Sequence, residues 1–211
     1  MPVFKSGLGL APAWCELTYF EIVELQTGAR HTFDWIGNKE KLIVGKGRCR
    51  LSVAGQVMEL ETGAQLDLRA AEEEPALVEV LTDTTLVRMC GQWRHELGGS
   101  GLFTVSRSDT PRDTGDPVAY PKTTNFDCHY HDCDEYWILF EGAGTAVSEG
   151  KSYQVGAGDC VATGMGHHHD FPDVTERVQA VYFETTLAGQ KRRGHLWDHT
   201  HGHAQPQPER V

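Results

Sequence analysis

The sequence predicts an all-β fold made of two related units of the jelly-roll or barrel type. Short runs rich in β-branched and aromatic residues, each bounded by Gly, Asp or Asn, recur along the 211 residues, and such runs are typical of strands. No segment carries a sustained apolar period of about 3.6 residues, so alternating strands and helices are disfavoured. An internal repeat at a spacing of 95 residues divides the strands between the two units.

The predicted strands cover, in chain order, residues 16–25, 41–47, 50–55, 76–89, 135–142, 144–150 and 178–186. Ser, Asp, Thr, Pro and Gly cluster at 106–120, which indicates a linker. We therefore expect an N-terminal domain at 1–105, a C-terminal domain at 106–190 and a tail at 191–211 that lies along the second domain.

The repeat is carried by a glutamate and two glycines in each half. Glu40, Gly47 and Gly63 recur 95 positions later as Glu135, Gly142 and Gly158. The segments around these residues also match in kind, because each strand leads into a glycine turn. Two copies of one fold, each about a hundred residues long, are the simplest interpretation of such a period.

Composition and charge exclude several classes of function. A formal charge of −11 disfavours nucleic-acid binding, which depends on clustered Lys and Arg. No apolar run reaches the length of about 20 residues that a membrane helix needs. The first twenty residues lack the features of a secretory signal, and the six cysteines are scattered. We expect a cytoplasmic protein with no membrane or nucleic-acid partner.

The segment HYHDCDEYWILFEG, residues 129 to 142, concentrates metal-ligating side chains. In a strand, His129 and His131 point to the same face, because alternate side chains do. Glu135 follows four residues later and can add a carboxylate. Imidazole and carboxylate together suit a divalent transition ion, and the absence of thiolates from the set argues against a closed structural zinc site.

With these residues in place, the second half resembles the cupin superfamily. That family's first motif has the spacing of His129, His131, Glu135 and Gly142, and its second motif matches Gly158, Gly166 and His169, with Gly164 where proline is usual. The resemblance implies four ligands, His129, His131, Glu135 and His169. It also implies one divalent transition metal per chain, such as Fe, Mn, Ni, Co, Cu or Zn.

The repeat extends this resemblance to a two-domain, or bicupin, chain with a degenerate first domain. At the same offset of 95 residues, the three histidine ligands fall on Asp34, Ile36 and Glu74, and Glu135 falls on Glu40. Ile36 cannot bind a metal, so we expect the N-terminal barrel to be a metal-free scaffold. It would pack against its partner domain or a second subunit, and we expect a homodimer.

The pocket beside the metal is expected to be largely apolar. By strand alternation Trp137 and Leu139 share the face of Glu135, and Phe171 shares the face of His169. Asp127 is the candidate for proton transfer, although orienting a histidine ligand is the commoner role of such a carboxylate. The tail contains His195, His199, His201 and His203, and its composition predicts an extended segment anchored by Leu196 and Trp197 rather than a metal site.

These features indicate a metal-dependent enzyme acting on a small organic molecule. The apolar pocket favours a non-haem metal dioxygenase, as the resemblance to cupin dioxygenases with three His and one Glu implies. A metal-assisted isomerase, epimerase or lyase acting on a sugar or keto acid is the first alternative, and it needs a base in the pocket. A non-catalytic binding or sensor module is the second, because the fold alone does not select among these functions.

Overall fold

The structure, a computed structural model, describes residues 1–7, 9–69, 75–93, 97–110, 115–185 and 194–211. Over these residues the chain is all-β, as the sequence predicted, with a single short helix, α1 (Asp198–His201). No helix in the described part of the chain has the length and hydrophobicity to cross a membrane. The strands are β1 (Val3–Lys5), β2 (Leu17–Leu25), β3 (Arg30–Phe33), β4 (Lys39–Lys46), β5 (Arg48–Val53), β6 (Gln56–Glu61), β7 (Gln65–Arg69), β8 (Ala76–Val80), β9 (Thr84–Gly91), β10 (Leu97–Val105), β11 (Asp134–Ser148), β12 (Lys151–Gly156), β13 (Asp159–Thr163) and β14 (His169–Thr185).

One compact unit spans residues 6–94. Its described strands form two four-stranded sheets, in the orders β2-β9-β4-β7 and β3-β8-β5-β6. Strand β5 alternates buried side chains with exposed or partly exposed ones, as expected for a sheet with one face on a core. Strands from both sheets contribute to that core, which includes Phe33, Leu42, Leu51, Val78 and Leu86.

The other compact unit combines residues 1–5 with residues 95–211. Its described strands form one sheet in the order β1-β13-β11-β14-β10, with β12 paired to β11. The long strands β11 and β14 run antiparallel, and their register shifts several times between Leu139 and Val147. Such irregularities bend a strand, and they allow β11 to continue through Gly142, which has a φ of 81°.

The two units share the same pairing register at the offset of the sequence repeat. Glu40 pairs with Leu68 in the first unit, and Glu135 pairs with Thr163 in the second. Strands β4 and β5 together correspond to the single strand β11, and β6 corresponds to β12. Each of these two hairpins turns through two residues with positive φ, Ala54 and Gly55 in one and Glu149 and Gly150 in the other.

The boundary between the units differs from the predicted division at residues 105 and 106. Strand β10, which the prediction assigned to the first domain, pairs with β14 along Ser100 to Val105. Strand β1 pairs with β13, so the first five residues also belong to the second unit. Both strands join by hydrogen bonds to residues distant in sequence, which the composition of the linker at 106–120 cannot reveal.

Candidate metal centre

The four predicted ligands come from three separate segments of the second unit. His129 forms an isolated antiparallel bridge with His169, the first residue of β14. His131 lies two residues further along the same extended segment, and Glu135 is the second residue of β11. All four side chains are buried, with exposed fractions of 5% or less. One potential ligand atom from each of the four lies within 4.8 Å of the others.

Three Nε2 atoms and one carboxylate oxygen converge at this cluster. Nε2 of His129 lies 3.1 Å from Nε2 of His131 and 3.0 Å from Nε2 of His169. Oε2 of Glu135 lies 3.0 Å from Nε2 of His169 and 3.5 Å from Nε2 of His131. Ligands about 2.1 Å from one ion and at right angles to each other stand about 3.0 Å apart. The four atoms therefore have the spacing of neighbouring ligands around one divalent ion.

Hydrogen bonds on the far side of two rings fix which nitrogen carries the proton. Nδ1 of His129 donates to the backbone carbonyl of Asp127, and Nδ1 of His169 donates to that of His167, both at 2.9 Å. A carbonyl oxygen only accepts, so a neutral ring here presents an unprotonated Nε2. The two Nε2 lone pairs then face each other at 3.0 Å. Such an approach is repulsive unless a cation lies between the two nitrogens. A hydrogen bond from Nδ1 to a carbonyl oxygen is also usual for histidines that bind a metal through Nε2.

Burial and charge hold the cluster in the protonation state that metal binding requires. Burial lowers the pKa of His129 well below its usual value, and it lowers the pKa of His131 to about 4. Burial alone would raise the pKa of Glu135, but electrostatic attraction to His131 and His169 outweighs burial and lowers that pKa to about 2. Neutral imidazoles and an ionised carboxylate are the forms that bind metal ions.

Two further buried carboxyl groups lie next to the histidine ligands. Oδ2 of Asp127 is 3.6 Å from Nδ1 of His129, and Oε1 of Glu184 is 3.6 Å from Nδ1 of His131. Burial would raise the pKa of Asp127, but a hydrogen bond with His195 outweighs it and lowers that pKa. A carboxyl group next to a ligand histidine orients its ring and increases its basicity.

A cavity of about 290 Å³ opens beside Glu135. Aromatic side chains form much of its wall, and none of the described lining residues is a lysine or an arginine. The cavity therefore offers an apolar surface with acidic and imidazole groups next to the ligand cluster. Its lining residues are Phe103, Phe126, Glu135, Trp137, Tyr182, Glu184, Gly194 and His195.

Of the three residues predicted to line the pocket, Trp137 lies on the wall of this cavity. Leu139 and Phe171 are fully buried in the apolar core, where the Phe171 ring lies 6.2 Å from that of Trp137. The wall also carries Glu184 and His195, which the sequence did not predict to face the pocket. Both reach the cavity through contacts between residues far apart in sequence, so strand alternation around Glu135 does not reveal them.

Asp127 and the C-terminal tail are connected directly. Oδ2 of Asp127 accepts a hydrogen bond from Nε1 of Trp197 at 3.0 Å and lies 3.3 Å from Nδ1 of His195. Leu196 pairs through its backbone with Tyr130. Leu196 and Trp197 thus connect the tail to the segment that carries His129.

The corresponding positions in the first unit are arranged differently. Asp34 and Ile36 are exposed, and Ile36 has an exposed fraction of 39%. Glu40 is fully buried, but its Oε2 pairs with Arg88 Nη2 at 2.5 Å. Glu74, the remaining equivalent position, lies outside the described residues. The side chain next to Glu40 is thus an arginine, whereas the side chains next to Glu135 are histidines.

Comparison with known proteins places this geometry in a fold and a family. No family model matches the sequence. It is 48% identical over 212 residues to the uncharacterized protein y4oW of Sinorhizobium fredii, and the match covers 100% of this chain and 97% of that protein. Vicilin from Corylus avellana (hazelnut) is similar in structure with a TM-score of 0.53 and 10% identity, over 82% of this chain and 76% of that chain.

A mutant of oxalate decarboxylase from Bacillus subtilis is similar to the same degree. Its TM-score is 0.53 at 10% identity, and the match covers 82% of this chain and 70% of that chain. At such identities the likeness shows the fold alone, and this is the cupin fold that the two motifs implied. The chain therefore has the cupin fold and belongs to the family of the y4oW protein of Sinorhizobium fredii.

Proposed function

We propose that the C-terminal unit binds one divalent transition metal and acts as a metal-dependent enzyme on a small organic molecule. The observation that carries this proposal is the approach of the Nε2 atoms of His129 and His169 to 3.0 Å, with Glu135 at the same distance from His169. Three imidazoles and a carboxylate suit Fe, Mn, Co, Ni, Cu or Zn. In support, one solved structure of the Bacillus subtilis oxalate decarboxylase, with a TM-score of 0.51, is described with Mn(II) centers.

The residues around the cluster have separate tasks in this proposal. His129, His131, Glu135 and His169 hold the ion, which when bound supplies Lewis acidity or, for a redox-active metal, electron transfer. Trp137 separates the ligands from the apolar core and gives the cavity a flat wall, while Glu184 orients His131. The cavity then holds a molecule next to the ligand cluster and limits its contact with water.

Dioxygen-dependent oxidation of a small, largely apolar molecule is the first candidate reaction. The aromatic side chains of Phe103, Phe126, Trp137 and Tyr182 support it, because flat apolar walls favour a planar apolar substrate. The absence of Lys and Arg among the described lining residues also disfavours a dianionic substrate, which would need a counter-charge.

A metal-assisted isomerase, epimerase or lyase is the second candidate. One observation favours it specifically, because Glu184 and His195 lie on the cavity wall and either can accept a proton from a bound molecule. A sugar or keto acid would bring the hydroxyl or carbonyl groups that such chemistry requires. The remaining candidate is a binding or sensor protein that holds the small molecule without converting it.

An oxygen electrode separates these candidates. Protein loaded with iron, manganese, nickel, copper or zinc is mixed with a panel of enols, diketones, flavonols, keto acids and sugars. We expect oxygen consumption matched to substrate loss with a redox-active metal, and none with zinc, which has no accessible second oxidation state. If substrate is lost without oxygen consumption, and zinc and manganese both support this loss, the dioxygenase is refuted and the second candidate is supported.

We also propose that the two units are copies of one barrel and that the first has lost its metal ligands. The shared register at an offset of 95 residues, such as Glu40 with Leu68 and Glu135 with Thr163, supports this history. A homodimer and a cytoplasmic location remain predictions. Light scattering during size-exclusion chromatography tests the first, and a mass near 23.4 kDa would contradict it.

A further inference from the structure

We infer that His195, on the C-terminal tail, is part of the metal centre and hydrogen-bonds a molecule bound at an open position of the metal. This inference rests on the proposed metal centre and adds a residue from outside the four-ligand set. It concerns the positioning of the bound molecule and holds for either candidate reaction.

The ring of His195 is stacked on a metal ligand. Its centroid lies 3.7 Å from the centroid of the His129 ring, and the two planes are 7° apart. Nδ1 of each ring faces the same atom, Oδ2 of Asp127, at 3.3 Å for His195 and 3.6 Å for His129. In two parallel rings aligned in this way, both Nε2 atoms project away from Asp127. Nε2 of His195 therefore points in the direction of the ligand atoms.

The parallel stacking decides what His195 can do. The two ring planes are 7° apart, so an ion in the plane of the His129 ring lies out of the plane of the His195 ring, where the Nε2 lone pair of His195 does not point at it. The ring is near enough to reach a molecule that occupies an open position on the same ion, and His195 lines the same cavity as Glu135. With Nδ1 facing the Asp127 carboxylate, a neutral His195 has an unprotonated Nε2, which accepts a hydrogen bond from that molecule.

The two tail residues that follow His195 hold its ring in place. Tyr130 and Leu196 exchange two backbone hydrogen bonds, at 3.0 and 2.9 Å, next to His195. Trp197 donates from Nε1 to the same Asp127 oxygen that His195 contacts. The side chain of His195 is nevertheless 45% exposed, so it stands at the cavity mouth and is not part of the core. A purely structural role would not require an imidazole at an exposed position over a ligand.

The test uses cobalt as the metal and hydroxylamine, which has hydrogen-bond donors, as the molecule that occupies the open position. Full-length protein is loaded with Co²⁺, and hydroxylamine is titrated while the visible absorption of the cobalt is recorded. The variants are His195→Phe, which keeps the stacked ring without its nitrogens, and His195→Gln, whose amide oxygen restores an acceptor. Trp197→Phe is the matched control, because it removes the other side-chain donor to Asp127 Oδ2 and leaves His195 in place.

We expect each variant to bind one equivalent of cobalt. Hydroxylamine affinity should fall at least about threefold in His195→Phe, as expected for the loss of one hydrogen bond between neutral groups. It should recover in part in His195→Gln and change by less than about twofold in Trp197→Phe.

Two outcomes overturn the inference while leaving the metal centre intact. One is unchanged hydroxylamine affinity in His195→Phe, and the other is an equal loss in Trp197→Phe, which would show that His195 only places the tail. A wild-type protein that takes up no cobalt would refute the proposed metal centre itself.

Discussion

Glu40 and Glu135 occupy the same register position in the two units, and the chain balances their charges by different means. Both side chains are buried, with exposed fractions of 0% and 5%. Arg88 contacts Glu40 through Nε and Nη2, at 2.7 and 2.5 Å, and the backbone N–H groups of Ile36 and Gly37 donate to the other oxygen. Glu135 instead faces imidazole nitrogens, which are neutral in the state that binds a metal.

The difference shows how one scaffold position supports two roles. A buried carboxylate needs a cation or several hydrogen-bond donors, because losing water without them is costly. In the first unit the cation is a covalent part of the chain, so the position is permanently filled and braces the fold. In the second unit the donor set leaves room for an exchangeable cation, and a cavity opens beside it. The following variants test this contrast.

The largest effect is expected from His169→Ala. This variant removes one of the four ligands and leaves a gap where Nε2 of His169 lay. We therefore expect it to lose stoichiometric binding of Co²⁺ or Zn²⁺, measured by competition with a chelator. His168→Ala is the matched control, because Nε2 of His168 contacts Asp116 at 3.2 Å and does not belong to the ligand set. Equal metal affinity in both variants would contradict the assigned ligands.

Arg88→Met should destabilise the first unit by about 3 to 5 kcal/mol, the usual cost of leaving a buried charge without its partner. Urea unfolding measures the change. Arg50→Met removes an exposed pair with Glu59 and should have a much smaller effect. The double variant with Glu40→Met should recover much of the loss, because apolar pairs often replace buried ion pairs at little cost. A loss as small as that of Arg50→Met would show that Arg88 does not balance Glu40.

Gly47→Ala and Gly142→Ala test whether the two units bend in the same way. Their φ angles are 87° and 81°, and an added Cβ would meet a backbone oxygen at 2.2 and 2.1 Å. We expect each to cost at least about 1 to 2 kcal/mol from backbone strain, with the contact adding to it. Gly156→Ala is the control, because its Cβ would meet nothing closer than 3.5 Å. If either Gly47→Ala or Gly142→Ala leaves the stability unchanged, the two units do not bend in the same way.

Asp127→Asn should weaken metal binding by about tenfold, the lower end of what the loss of a carboxylate next to a ligand histidine costs. The amide keeps the size of the side chain but removes its charge from beside His129. Asp116→Asn controls for the tail, because Asp116 accepts a hydrogen bond from the backbone N–H of Asp198 at 2.9 Å. If both variants weaken metal binding equally, Asp127 acts by holding the tail rather than by supporting the ligand.

The ligand set could be predicted because its signal is local, whereas much of its surroundings could not. His129, His131 and Glu135 fall within seven residues, and their spacing alone brings them together. The strands β6 and β12 escaped prediction because their hairpins turn through Ala-Gly and Glu-Gly instead of the usual Asn-Gly or Asp-Gly. Strand β10 was missed because its sequence, LGGSGLFTV, is rich in glycine.

The wall of the cavity depends on contacts that no local pattern encodes. His195 reaches Asp127 across 68 residues of sequence, and Glu184 reaches His131 from the far end of β14. Composition predicted an extended tail, whereas the described part of the tail includes the short helix α1, and composition carries no information about which residue the tail places over a ligand. Arg88 reaches Glu40 across 48 residues in the same way.

The metal content of the wild-type protein tests the central claim most directly. The full-length chain is purified without added metal or chelator, equilibrated with each candidate divalent ion and desalted, and its metal is measured per chain. We predict one equivalent, lost in His169→Ala and in Glu135→Gln. A protein that retains no ion under any of these conditions, or that keeps its full equivalent in both variants, would contradict the account.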